Sequence, residues 1–181
     1  IEDGVVEVLA STGDNHLGGD DFDKEIVDIL IDHLNNESNI EISDDPVAMA
    51  RLRYAAEQAK IELSSAPFAM IQEDFLTKKS NEDIHLSYEI SRIDFEDAIS
   101  EHLQKTMDCI STALKDASML PSALDKIILV GGSTRIPIIS SMLEEKFNKI
   151  PHQGIDPDLC VAMGAAIQAG REMGIESTSM L

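Results

Sequence analysis

Ile128-Leu129-Val130-Gly131-Gly132-Ser133-Thr134-Arg135-Ile136-Pro137 is the stretch on which the fold turns. The run Ile127-Ile128-Leu129-Val130 is apolar on both of its alternating faces, which predicts a buried strand of an α/β layer. It passes straight into a double glycine, and Pro137 suits the first position of a helix. Strand, glycine turn and helix in that order describe one edge of an α/β unit. The turn admits two readings. Its glycines permit close approach of a ligand, its exposed amides suit an anion or a ribose oxygen, and Arg135 offers a planar cation to stack on a base. The same residues equally make a tight strand-to-helix turn, since the spacing is not that of a phosphate loop ending in Lys-Ser/Thr.

Outward from this stretch, the helix opening at Pro137 carries Ile138, Ile139, Met142, Leu143 and Phe147. Pro157 suits the start of another, with Val161, Ala162, Ala165, Ala166 and Ala169 as small side chains for close packing. Upstream, Phe95, Ile99, Leu103, Met107, Ile110 and Leu114 form the apolar face of one long helix, capped by Ser91 and reaching about Ser118. Before it, the period drops towards two in Phe68 to Phe75 and in Ile84, Leu86, Tyr88 and Ile90, so an antiparallel hairpin is expected around Lys78-Lys79-Ser80-Asn81. Phe22, Ile26, Leu30 and Leu34 predict a helix. Met49, Leu52, Ala56, Ala59 and Leu63 predict a second, opening at Pro46 and closing before Pro67, with a polar, turn-like connection over residues 35–45. At the start, Asp3-Gly4 reads as a turn into a half-buried strand of Val6, Val8 and Ala10.

The chain has 181 residues, 43% hydrophobic and 27% charged, enough for one domain or two closely packed lobes. With 34 acidic against 14 basic residues and a formal charge of -20, it repels phosphate backbones and anionic membranes, so neither nucleic acid nor a membrane is expected as a partner. Cys109 and Cys160 lie far apart and outside any ligand motif, which fits a reducing compartment and argues against a disulfide scaffold or a thiolate zinc site. The opening lacks both an initiator methionine and a secretory signal, so the chain reads as a piece of something longer.

Two further groups offer chemistry. Glu57, Lys60 and Ser64 fall at offsets of three and four on one helix face, where they present an acceptor, a cation and a hydroxyl to a ribose or form an ordinary surface pair. Asp14, His16, Gly18, Gly19, Asp20, Asp21 and Asp23 precede a helix. Capping and dipole roles account for most of these carboxylates better than magnesium binding, and His16 lacks a ligand set. Asp158, just inside the helix opening at Pro157, is either a first-turn dipole partner or a polar group of a pocket wall. No catalytic constellation and no metal site is assigned.

Taken together, four segments in order resemble the seventy-kilodalton heat-shock chaperone family, of the DnaK-like bacterial or organellar type, over essentially the whole chain. They are Gly13 to Asp23, Ala56 to Ser65, Ile128 to Pro137, and Asp156-Pro157-Asp158 with Ala162 to Ala166. The resemblance implies an actin-like ATPase half-domain, α/β in class. Its inner α/β subdomain would comprise residues 1–17 and 100–181, and its outer α+β subdomain residues 18–99. It implies that Gly131, Gly132, Ser133, Arg135 and Ile136 line the phosphate, ribose and adenine side of a site for ATP or ADP with Mg. Glu57, Lys60, Ile61 and Ser64 would approach from the outer subdomain, and Asp158 would support the inner wall. Ile61 stands where many animal cytosolic members carry Arg, so apolar packing on adenine is expected there. The family's phosphate loops and catalytic lysine have no counterpart in these residues, so the isolated chain is expected to be a weak nucleotide binder without turnover.

In the intact parent the resemblance implies ATP hydrolysis coupled to unfolded-protein binding, with outer-subdomain motion releasing ADP. The implied partners are a nucleotide exchange factor at the outer subdomain, the remaining ATPase lobe, a peptide-binding domain and a J-domain co-chaperone. The implied setting is a bacterial cytoplasm or an organellar matrix or stroma. A protein-binding module without useful nucleotide affinity is the alternative, and an actin-like sugar kinase a more distant one.

Overall fold

The computed structural model describes residues 6–152, 154 and 156–174. The expected Asp3-Gly4 turn lies outside the described residues. The chain divides into two compact units, Ile1–Ser118 and Met119–Leu181. The fold is α/β in class, with helices around a two-stranded antiparallel sheet in the first unit and beside an isolated parallel bridge in the second.

In the first unit, α1 (Gly19–Ser38) buries Phe22, Ile26, Val27, Leu30 and Leu34, the stripe its spacing predicts. Its start is fastened by Asp21, whose carboxylate accepts the Gly18 N–H at 2.7 Å, as an acidic group near the orphan amides of a helix start should. It ends where Asn39 turns left-handed at φ 48° and returns its N–H to the Asn35 carbonyl. The connection to α2 (Pro46–Leu63) is less polar than its composition suggests, because Ile40 and Ile42 are both buried. Asp45 caps α2 by accepting the Val47 and Ala48 amides at 3.1 Å each, with Pro46 at the position that needs no donor. The buried face of α2 is Ala48, Leu52, Ala56, Ala59 and Leu63.

Helix α2 packs on both α1 and the hairpin formed by β1 (Phe68–Lys79) and β2 (Glu82–Ser91). Ser80 and Asn81, at φ 48° and 73°, make the two-residue turn whose twist suits a hairpin. Pairing runs from Phe68↔Ser91 to Glu73↔Leu86, slips, and resumes at Thr77↔Ile84. The bulge between is built rather than loose. Phe75 sits at φ 51°, its N–H donates to His85 Nδ1, and the Arg51 guanidinium collects the carbonyls of Asp74 and Phe75 together with the Glu73 carboxylate.

Ser91 caps the next helix through Asp94 N–H, but the expected single helix to Ser118 is two. Helix α3 (Arg92–Ala98) and α4 (Ser100–Asp116) are separated by Ile99, whose backbone leaves helical geometry at ψ 1°. Phe95, Ile99 and Leu103 all remain buried across the break. Glu25 of α1 and His102 of α4 meet at 2.8 Å. The expected strand of Val6, Val8 and Ala10 does not form. A strand is defined by its neighbour's hydrogen bonds, and no described residue pairs with it, leaving Val6 and Val8 exposed.

In the second unit, the buried strand expected over Ile127–Val130 reduces to one parallel bridge, Ile128↔His152. Ile128 and Val130 remain 49% and 44% exposed, because a strand apolar on both faces needs a layer on each, which the described residues of this unit do not supply. Helix α5 (Pro137–Phe147) forms as expected, with Leu143 and Phe147 inward. Helix α6 (Cys160–Glu172) begins three residues later than the Pro157 start expected for it. The Leu159 and Cys160 amides fold back to the Asp156 carbonyl, and the Pro157 carbonyl is engaged by Gly131 N–H instead. Its small apolar residues, expected to pack closely, are exposed, Val161 among them.

Candidate functional site

The residues singled out by the sequence are divided between the two units. In the second unit the glycine turn is a single 3-10 turn, Gly132–Arg135, entered through Gly131 at φ 93°, a conformation that side chains other than glycine rarely adopt. Thr134 closes the turn by donating both its N–H and its hydroxyl to the Gly131 carbonyl, at 3.1 and 2.7 Å. Gly131 N–H in turn reaches the Pro157 carbonyl at 2.9 Å, tying the turn to the Asp-Pro-Asp segment. A methyl group at Gly132 would come within 3.3 Å of Asp158 Oδ1, so the approach of the two segments also leans on this glycine.

Arg135 is the centre of that junction. Its Nε and Nη2 both donate to Asp158 Oδ2, at 3.1 and 2.7 Å, and Nη2 also donates to Asp156 Oδ1 at 2.9 Å. Asp158, followed by Asp156, raises the guanidinium further above its already high value, so the charge is permanent. Hydrogen bonds of this kind lie in the guanidinium plane and occupy its edge, which leaves the planar faces for stacking. The guanidinium is half exposed. Asp158 is therefore neither inside a helix nor a dipole partner, since it precedes α6 and its carboxylate serves Arg135. Asp156 plays the same part and was missed as a site residue, although the Asp-Pro-Asp spacing carried the signal. Ser133 is half-buried at the turn, and Ile136 is buried, so its side chain packs beneath the turn.

In the first unit, the last turns of α2 carry Glu57, Lys60, Ile61 and Ser64. Glu57 and Ile61 are exposed, Ile61 at 56%, while Lys60 and Ser64 are half-buried. Lys60 is not a free surface cation. Its Nζ lies 2.8 Å from Asp23 Oδ1, donates to Asp23 Oδ2 at 3.0 Å and to the Gly19 carbonyl at 3.2 Å, and both charged side chains are only 14% exposed. Asp23 Oδ1 is buried and within ion-pair distance of the ammonium, but it accepts no hydrogen bond from the described residues. Burial pushes the Asp23 carboxyl above its ordinary value, against the lowering effect of Lys60 and with help from Glu57 and Asp20. The capping reading of the acidic segment thus holds for Asp21 and fails for Asp23, which reaches across to α2. Ser64 ends the helix and donates its hydroxyl to the Lys60 carbonyl at 3.3 Å. Arg92 holds the same end by donating to the carbonyls of Leu63 and Ala66.

A cavity of about 660 Å³ opens between α1 and α2. Asp20, Asp23, Asp28 and Glu57 line it against Lys24 and Arg53, a negative balance that rejects phosphate and tolerates hydroxyl groups. His16 is almost fully exposed, with its ring 3.7 Å from Asp14, and no group of three or more His, Cys, Asp or Glu among the described residues is arranged to hold a metal ion. No helix among them is long and apolar enough to cross a membrane. The family model described as Hsp70 protein matches residues 1–181, the whole chain.

Proposed function

The chain belongs to the Hsp70 family, and from that membership we propose that it is the second lobe of an Hsp70 nucleotide-binding domain. In this reading residues 18–99 form its outer subdomain, with 1–17 and 100–181 forming the inner one. The family couples nucleotide to chaperone action, binds ATP with Mg, and works with exchange factors and J-domain co-chaperones. The observation that carries the residue-level reading is the half-exposed Arg135 guanidinium, held by Asp156 and Asp158 at a glycine turn. Such a group stacks on a purine without giving up its carboxylates.

On this reading Gly131, Gly132 and Ser133 line the phosphate and ribose side, Gly132 and Ser133 with backbone amides and a hydroxyl and Gly131 with the turn that its own bond to the Pro157 carbonyl fixes, with Ile136 packed beneath them. Asp158 holds Arg135 in place. Glu57 accepts from a ribose hydroxyl, Lys60 donates to the nucleoside, Ser64 offers its hydroxyl oxygen as an acceptor while its O–H stays on the Lys60 carbonyl, and the exposed Ile61 supplies an apolar face to adenine. The donor set fits a nucleoside. Mg would come with the nucleotide, and no step is routed through it here. ATP supplies the phosphoanhydride bond whose hydrolysis the family uses, and this chain's part is to bind and orient. Arg135→Lys keeps the charge but loses the two-point lock and the stacking plane. It is expected to weaken Mg-ADP binding about tenfold, roughly 1.4 kcal/mol, by calorimetry. Unchanged affinity would contradict the stacking role.

A second reading has its own support. Val47, Tyr54, Phe68, Met70 and Phe75 of the first unit are more than half exposed, an apolar excess that suits a protein partner such as an exchange factor. Titration with the cognate exchange factor in the absence of nucleotide tests it, and no binding at high concentration would remove it. A sugar kinase is disfavoured by the family match over the whole chain.

A further inference from the structure

Among the ionisable groups of the described residues, Asp23 stands out as a carboxylate kept in a place that does not suit it. It is 14% exposed, one of its oxygens lacks a hydrogen bond, and Asp20 and Glu57 add negative charge nearby. An apolar residue would pack the α1–α2 contact without that cost, since a half-buried ion pair seldom repays its desolvation. Its one specific effect is on Lys60. The ammonium has three N–H groups. It donates to Asp23 Oδ2 and to the Gly19 carbonyl, with Asp23 Oδ1 also 2.8 Å away, and all three oxygens belong to the first turns of α1, so the ammonium is placed from a different helix than the one that carries the lysine.

Deepening the proposed nucleoside site, and resting on it, we infer that Asp23 is the positioning residue for Lys60, holding the ammonium across the α1–α2 contact in the place from which it donates to a nucleoside hydroxyl. A free lysine has to freeze several rotatable bonds to make one hydrogen bond, and that ordering costs affinity. Here that ordering is already made before the ligand arrives. The raised affinity of Asp23 for its proton agrees with a group retained in spite of its surroundings.

The test uses the full chain, with two readouts for each variant: the rate at which an amine-reactive reagent modifies Lys60 without nucleotide, and the affinity for Mg-ADP. Asp23→Asn should speed Lys60 modification several-fold and weaken Mg-ADP about tenfold, whereas Asp23→Glu, which keeps the carboxylate, should restore most of both. In a Lys60→Gln background, Asp23→Asn should cost nothing further in affinity, and this neutral double variant also serves should the single one fold poorly. Unchanged Lys60 reactivity in Asp23→Asn would overturn the clamp. Freed Lys60 with unchanged affinity, or a further loss in the Lys60→Gln background, would overturn the positioning role while leaving the nucleoside site standing. Wild-type affinity retained by Lys60→Gln itself would remove Lys60 from the site and the inference with it.

Discussion

Asp23 and Asp45 lie in the same unit and respond oppositely to their surroundings. Asp45 accepts two helix-start amides and the Thr77 hydroxyl at 2.8 Å, which hold its carboxyl below its ordinary 3.8, the Ala48 amide first among them. A depressed carboxyl contributes stability that is present above the unfolded value and lost as pH falls through the folded one. Asp45→Asn should therefore lower the urea midpoint at neutral pH, with the gap to wild type closing as pH drops below about 4. A gap independent of pH would show that the charge of the cap is immaterial. Asp23 has the other sign. Its raised value favours the fold while it is protonated, and that contribution is lost as pH rises through the folded value, so its ionised form is held at a cost. Pro46 marked the helix start in the sequence, but the capping role of Asp45 before it was not read there and is seen only in the structure. The role of Asp23 was not legible, because its partner lies 37 residues away, across a helix contact that no local spacing encodes.

At the scale of elements, periodicity identified α1, α2, the hairpin and α5, since each buries one face within the unit that holds it. Leu52 shows the logic. It is fully buried where α2 meets its neighbours, so Leu52→Ala should cost about 2–5 kcal/mol in a denaturation experiment. A loss below 1 kcal/mol would mean that the site collapses around the gap. Elements that depend on a distant partner were misjudged. The strand over Val6, Val8 and Ala10 and the buried strand over Ile127–Val130 have apolar patterns that record a neighbour without naming it. The helix break at Ile99 left no trace either, because a one-residue departure keeps Phe95, Ile99 and Leu103 in step. The hairpin bulge at Phe75 depends on Arg51, more than twenty residues earlier, and lies equally beyond local pattern.

For the whole molecule, the charge of -20 is the largest unlocalised term. Self-repulsion of that size destabilises the compact state, and salt weakens it as the screening length falls from about 30 Å at 0.01 M to about 8 Å at 0.15 M. The urea midpoint should accordingly rise over that range of sodium chloride, and a falling midpoint would mean that the ion pairs of Lys60, Arg51 and Arg135 outweigh the repulsion. The family was legible as a whole-chain property, because four short segments in order carry information that none has alone. The central proposal, drawn from family membership, is that Arg135, Lys60 and Ser64 answer to one nucleotide. Side-chain NMR signals of Arg135, Lys60 and Ser64 followed through one Mg-ADP titration test it most directly. The account predicts that all three move along a single saturation curve with one shared dissociation constant, and signals that stay still or saturate at different concentrations would contradict it.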